Sequence, residues 1–324
     1  MNTDGTPRSD SPAPDGEEYF VMSLYFAANR WGSGKGIYDY KSQADHLLAL
    51  MRHHPMSTGT PPFRLKPDQP PYVPVRRIPT PAAIENGAIP PPPAGTPAPP
   101  RPAPRPQGPR TVGPMVSEEY KMILFVPNSG GNTFSDPSYH LPAFYELWSR
   151  WGPAEDRDFW AQAADVSRAY FVKVSDPVTG LGPDRANLDG SAMQGFNGTK
   201  TPFSYDSWRT ASNWAVDYSW WHKDPQEPVL SDRIQKFLFS QGVDKFSDRY
   251  TLDGQPLSKR HSTGMVATTA TSGLAATKGP TSKAFLDALW NTPVPAGEQR
   301  YYDGMLYMMS LLHCSGQFRI WKPM

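Results

Sequence analysis

Cys314 is the single cysteine of this sequence, which excludes an intramolecular disulfide framework and any metal site built from clustered thiolates. Net charge is nearly absent as well. The 32 Lys and Arg are matched by 31 Asp and Glu, so no global field attracts nucleic acid or an anionic membrane surface. No apolar run approaches the roughly 18 residues of a membrane span, and the polar stretch opening at Met1 does not read as a secretory leader. The seven histidines form no HExxH-like pair, and the apolar pattern shows no strand–helix alternation. Apolar side chains make up only 38% of the chain, low for a globular protein.

Proline is what there is most of, and it is concentrated. Of 38 prolines, 21 fall in the 60 residues from Pro55 to Pro114, including the run Pro90-Pro91-Pro92-Pro93. Such a segment lacks backbone donors and large apolar side chains, so it is expected to be an extended, disordered insertion rather than part of a core. A functional use would be docking to a proline-motif-binding partner of the SH3 or WW kind. The chain is thus expected to divide into a helical start at 1–54, the proline-rich insertion at 55–115, and the remainder of the same domain at 116–324.

Outside the insertion the pattern is all-α. Phe20, Leu24, Ala27 and Trp31 form a stripe over 17–31, and Ala44, Leu47, Leu48 and Met51 form one over 41–53. A short apolar run at Met122–Val126 could be a strand. Further helices fit 141–151, 155–174, 204–222, 227–240, 262–277, 280–291 and 299–315. Residues 155–174 and 227–240 are amphipathic, as outer helices would be. Residues 262–277 are small (Gly264, Ala267, Ala270, Gly273), which suits an inner ring, and 299–315 are apolar nearly all round, as a helix buried on both sides must be. Alternating inner and outer helices suggest an α/α toroid with a cleft at one rim. A six-hairpin toroid has twelve helices; nine are counted here.

Acids and aromatics crowd the loops, as in Ala13-Pro14-Asp15-Gly16-Glu17-Glu18-Tyr19-Phe20 and Phe203-Ser204-Tyr205-Asp206-Ser207-Trp208-Arg209. Aromatic rings stack on sugar faces, and a carboxylate pair can hydrolyse a glycosidic bond. On residue type alone, Asp15 and Asp206 equally suit the first turn of a helix, where the dipole favours acids. Other motifs are weak. Gly32-Ser33-Gly34-Lys35-Gly36 ends a helix instead of joining a strand to one, so it is not a phosphate loop. Asp184–Gly190 lacks the spacing and bidentate Glu of a calcium loop. Asn197-Gly198-Thr199 is a sequon that matters only in a glycosylating host. No cofactor and no metal are expected.

Ala13-Pro14-Asp15-Gly16-Glu17, with Ser23, Ala27 and Trp31 following, resembles the signature of glycoside hydrolase family 8. Pro14 and Glu17 depart from that signature in the manner of the branch that releases xylose from the reducing end of xylo-oligosaccharides. The resemblance continues through Asp136-Pro137-Ser138-Tyr139-His140, Thr179-Gly180-Leu181, Ser204-Tyr205-Asp206, Asp217-Tyr218 and Arg300-Tyr301-Tyr302-Asp303 to Phe318-Arg319-Ile320-Trp321. It covers all but the insertion and implies an (α/α)6 barrel and an inverting mechanism on β-1,4-linked xylo-oligosaccharides.

Carried over by position, the resemblance makes Asp206 the general base, with Tyr205 beside it and Arg209 one turn on. Tyr139 would hold the water and Asp15 would bind the distorted sugar. Trp208, Trp220, Trp221 and Tyr218 could be sugar platforms, though helical spacing suits core equally well. An inverting pair stands roughly 6.5–9.5 Å apart to admit a water. The partner acid of the family is a Glu in a Ser/Thr-Glu-Gly-x-x-Tyr-Gly block well upstream of the Asp15 block, and none of the nine glutamates sits in that pattern. The sequence therefore reads as a member lacking the first helices of the barrel, with impaired activity, exposed inner faces and marginal stability. Glu17 and Glu18 are the carboxylates that could stand in.

His261 matches the histidine of a Leu-His-Pro loop that confers reducing-end specificity in that branch. Arg260 and Ser262 replace Leu and Pro, which weakens the expectation of a rigid loop. The alternatives are an endo-acting xylanase, cellulase or chitosanase of the same family, or an inactive glycan-binding remnant. The branch implies a cytoplasmic location; no nucleic acid and no membrane partner are expected.

Overall fold

The computed structural model describes residues 12–59, 110–128, 130–194 and 199–323. The proline-rich stretch and its docking reading, and Asn197 of the sequon, lie outside the described residues. The chain separates into one body of residues 11–56 and 112–324 and a small unit of residues 1–10 and 57–111. The small unit is described only at β1 (Ser57–Gly59) and the start of β2 (Arg110–Val112), which are hydrogen-bonded neighbours.

Nine α-helices are described: α1 (Pro14–Trp31), α2 (Tyr40–His53), α3 (Pro142–Trp151), α4 (Arg157–Val174), α5 (Trp208–Trp221), α6 (Gln226–Gln241), α7 (Thr263–Ser272), α8 (Pro280–Asn291) and α9 (Arg300–Cys314). They pack in two layers. The succession α1, α3, α5, α7, α9 is inner, each packing on the next, while α2, α4, α6 and α8 lie against α1, α3, α5 and α7 from outside. This is an all-α, toroidal arrangement, as the alternation of patterns required.

Local chemistry explains the helix ends and contacts. Pro14, Pro142 and Pro280 open helices at the first position, where a missing N–H costs nothing;. Every residue of α7 after Thr263 is buried. A Cβ on Gly264 would sit 3.0 Å from the Asp303 carboxylate and the Leu306 methyl, so the bare glycine is what lets α7 and α9 approach. The helix expected over 262–277 stops at Ser272, where Gly273 turns the chain and Lys278 Nζ donates to its carbonyl at 2.7 Å.

Trp148 and Trp160 meet edge to face at 4.7 Å in one core cluster, and Trp208, Trp214 and Phe171 are buried in another. Arg168 on α4 clamps the inner layer. Its guanidinium donates to both oxygens of Asp217 on α5, at 2.7 and 3.0 Å, and to Glu146 on α3 at 2.9 Å. Paired on both sides, this buried charge is compensated.

Two expectations about faces need correcting. On α1 the buried residues are Pro14, Glu18, Val21, Met22 and Tyr25, whereas Phe20 and Trp31 of the expected stripe are 67% and 69% exposed. On α9 only Asp303, Leu306, Ser310 and His313 are buried, and Tyr301 is 79% exposed. Both helices carry apolar side chains on more than one face, and among the described residues only one face of each is covered.

Candidate active site

Short strands bring the first acids together. β3 (Phe134–Ser135) pairs antiparallel with β4 (Ala186–Asn187), Ser135 opposite Ala186. That register sets Asp136, just after β3, beside Asp184, just before β4. Asp136 then caps the 3-10 turn Pro137–Tyr139, its Oδ1 accepting from the Ser138 amide at 2.8 Å. Asn213 of α5 donates to the Ser138 carbonyl at 2.7 Å and fixes this turn against the inner layer.

Asp206 occupies a second 3-10 turn, Tyr205–Ser207, leading into α5. The Ser204 amide donates to Ser207 Oγ at 2.7 Å. Tyr205 takes φ +43°, a left-handed conformation that a bulky L-residue adopts only under constraint;. The strained turn leaves Asp206 partly exposed at the head of the helix that carries Arg209.

Arg209 joins the acids. Its Nη1 donates to Asp15 Oδ2 at 2.6 Å and its Nη2 to Asp206 Oδ1 at 3.1 Å. The Tyr302 hydroxyl donates to the same Asp206 oxygen at 3.1 Å. Among the described residues, Asp206 Oδ2 therefore has no protein donor. The guanidinium lies 5.5 Å from the Tyr139 ring centroid. Beside it opens a cavity of about 600 Å³ lined by Asp15, Tyr19, Arg209, Tyr302 and His313 among others.

Charge is crowded here. Oxygens of Asp136, Asp184 and Asp206 lie within 4.8 Å of one another. Such a trio could hold a divalent cation, but protons also meet the balance. Burial pushes Asp136 up to about 8 against the pull of Arg209, and burial with Asp206 close by pushes Asp184 to about 6. Burial also raises Glu18 well above the carboxylate range, despite the Tyr145 hydroxyl bound to it.

A carboxyl raised on folding stabilises the protein below its unfolded value and loses that contribution as pH rises through the folded one. For Asp136 the window runs from 3.8 to about 8. Asp136→Asn should therefore gain stability over the parent as pH rises, by up to about 1.4 kcal/mol per unit. Thermal melts at pH 5 and pH 8 check this; parallel pH curves for the two proteins would refute the assignment.

Of the residues expected at the site, Asp15, Tyr139, Tyr205, Asp206 and Arg209 come together. Tyr218 lies nine residues past Arg209 on α5, about 13 Å along the axis, with its ring on His222 at 4.7 Å. His261 bonds through Nδ1 to the Phe246 carbonyl at 2.8 Å, which leaves Nε2 as its acceptor. Among the described residues neither hydrogen-bonds to the Asp15–Arg209–Asp206 group. Trp208 is core, its indole N–H donating to the Asp248 carbonyl at 2.9 Å, and Trp220 stacks on Phe318 at 5.6 Å. Trp221, half-buried, donates to the Ala143 carbonyl at 3.1 Å.

The loop around His261 is firmly held. Arg260 reaches Asp248 at 2.9 Å and also pairs with Asp303, while Ser262 donates to Asp303 at 2.9 Å and caps α7. Glu18 faces the core, so it does not stand in as an acid, and Glu17 is half-buried with its carboxyl raised chiefly by burial. Tyr302, Asp136 and Asp184 received no role from the sequence. Tyr302 and Asp136 lay inside recognised blocks, but Asp184 joins the site only through strand pairing.

The site is thus a guanidinium-linked pair of aspartates beside a cavity between the inner helices of an α/α toroid. The family model of glycosyl hydrolases family 8 matches residues 121–316. A reducing-end xylose-releasing exo-oligoxylanase, Rex8A of Paenibacillus barcinonensis, is 37% identical over 98% of this chain and 70% of its own length. The reducing end xylose-releasing exo-oligoxylanase of Halalkalibacterium halodurans is 36% identical over 99% of this chain and 68% of its own. Among solved structures, a family 8 protein of Teredinibacter turnerae in complex with xylobiose superposes with a TM-score of 0.81. It is 40% identical, over 100% of this chain and 71% of that one. The chain belongs to glycoside hydrolase family 8, whose fold is the (α/α)6 barrel, and it is a glycosidase.

Proposed function

We propose that the protein releases xylose from the reducing end of β-1,4-linked xylo-oligosaccharides with inversion, Asp206 being the general base. The observation that carries this is the hold on Asp206: Arg209 and Tyr302 both bind Oδ1, which leaves Oδ2 to accept a proton from water. The water oxygen attacks the anomeric carbon, its proton passes to Asp206, and the glycosidic oxygen departs with a proton from an acid on the other face. Asp15, bound to the other arm of Arg209, is placed to accept hydrogen bonds from sugar hydroxyls, and Tyr139 to hold the water. The names of the two exo-oligoxylanase relatives support the substrate. A cytoplasmic site of action belongs to the same proposal.

The proposal also holds that these 324 residues cleave unactivated xylosides poorly, because no glutamate occupies the family's acid block. Xylotriose and β-xylobiosyl fluoride separate the two halves of the mechanism. Fluoride departs without protonation, so the fluoride should be hydrolysed to the α-anomer, seen by NMR, while xylotriose turns over slowly. No fluoride hydrolysis above buffer, or a β-product, would refute the base assignment; rapid xylotriose cleavage would refute the impairment.

The alternative is an endo-acting xylanase, because Arg260 and Ser262 replace the Leu and Pro of the loop linked to reducing-end specificity. Xylohexaose distinguishes the readings, since exo action gives xylose first and endo action gives mid-sized oligosaccharides.

A further inference from the structure

Glu18 is a carboxyl with no access to solvent and no place in the mechanism above. It lies on α1 one turn beyond Asp15 and is 0% exposed. Its Oε1 stands 2.5 Å from the Tyr145 hydroxyl oxygen of α3, and that hydroxyl also stands 3.3 Å from the main-chain carbonyl of Tyr139. Its Oε2 has no partner among the described residues. Burying a polar group without full hydrogen bonding is unfavourable, and an apolar side chain would fill the same space without that penalty. What Glu18 adds is the polar link.

We propose that Glu18 is a positioning residue for the hydrolytic site, acting through the Tyr145 hydroxyl to hold the turn that carries Tyr139 in fixed register with Asp15 on α1. The elements it joins are the ones the site needs together. α1 supplies Asp15, which meets Arg209 Nη1 at 2.6 Å. The Pro137–Tyr139 turn supplies the ring that lies 5.5 Å from the same guanidinium. The buried contact ties the two from behind. On the other side Phe125 stacks on Tyr139 at 5.9 Å, so the ring is confined from two directions. Burial also raises the Glu18 carboxyl well above the ordinary range. A neutral acid suits the geometry, because Tyr145 has one proton and two neighbours within reach: a protonated Glu18 satisfies one contact and leaves the tyrosine proton for the Tyr139 carbonyl.

The proposal rests on the glycosidase reading of the Asp206 group, so it is tested by one measurement that depends on that reading and one that does not. Glu18→Leu and Tyr145→Phe break the link, Glu18→Gln keeps its shape and an acceptor, and Leu289→Ala in α8 is a destabilised control remote from the site. With β-xylobiosyl fluoride, Glu18→Leu and Tyr145→Phe should lower kcat 10- to 100-fold with KM changed less than 3-fold. Glu18→Gln should restore most of the rate, and Leu289→Ala should leave kcat unchanged below its melting temperature. By hydrogen exchange, the amides of Tyr139 and His140 should exchange at least 10-fold faster in Glu18→Leu and Tyr145→Phe, with α8 amides unaffected. Unaltered exchange at Tyr139 and His140 overturns the proposal, whether or not the parent is active. So does a kcat that falls only in step with the folded fraction, as in a merely structural loss. Faster exchange in Glu18→Leu and Tyr145→Phe, with a parent that does not hydrolyse the fluoride, would uphold the link and refute the glycosidase assignment alone.

Discussion

Asp206→Asn should reduce hydrolysis of β-xylobiosyl fluoride by about 10²–10⁴-fold, the range that a positioned general base contributes. The amide keeps the size of the carboxylate but cannot take a proton from water. KM should change little, because the contacts of Arg209 and Tyr302 at Oδ1 hold the side chain rather than the sugar. Using the fluoride makes the test specific, since its leaving group needs no acid and any loss reports on the base. Steady-state rates over pH 4–8 check this. A variant retaining more than a tenth of the parent kcat would move the base elsewhere, with Asp184 the next to examine because it stands within 4.8 Å.

Arg209→Met should be nearly as damaging for activity and worse for stability. The guanidinium is the permanent cation of a group containing Asp15, Glu18, Asp136, Asp184 and Asp206, and it bonds directly to two of them. Removing one partner from a partly buried ionic network costs about 3–5 kcal/mol, because the acids left behind are uncompensated. Without the cation Glu18, Asp136 and Asp184, which it pulls down, bind protons more tightly, and kcat at neutrality should fall at least about 10²-fold;. Arg209→Lys should recover part of the stability and less of the rate, since an ammonium is a point charge and cannot span Asp15 and Asp206 as a planar fork does. Denaturant unfolding and pH–rate profiles of both variants check this. An Arg209→Met variant within about 1 kcal/mol of the parent's stability would show that Arg209 does not hold the acid cluster together.

Much of the chain was readable from pattern because the physics there is local. Helical periodicity located all nine described helices;. Of the stripe Ala44, Leu47, Leu48, Met51, all but the half-buried Leu47 are buried where expected, and the amphipathic helix over 155–174 buries Phe159, Ala163, Tyr170 and Val174. The Asp15 and Asp206 blocks stood out because each concentrates acids and aromatics within one turn. The stripe Phe20, Leu24, Ala27, Trp31 misled for a definite reason. α1 is apolar on two faces, and periodicity shows that a face exists without showing what covers it.

What the sequence determined alone was therefore the helical class, the alternation of inner and outer helices, and the candidates Asp15, Tyr139, Asp206 and Arg209. Tertiary structure decided which of these meet. Asp15 and Arg209 lie 194 residues apart in sequence, and Asp206 and Tyr302 lie 96 apart. No local propensity encodes such contacts. They arise because α1, α5 and α9 are inner helices around a common cavity, and because pairing of Ser135 with Ala186 carries Asp136 to Asp184. Tertiary structure likewise assigned Trp208 and Asp217 to the framework and turned Glu18 inward, since burial is a property of what packs against a residue and not of the residue itself.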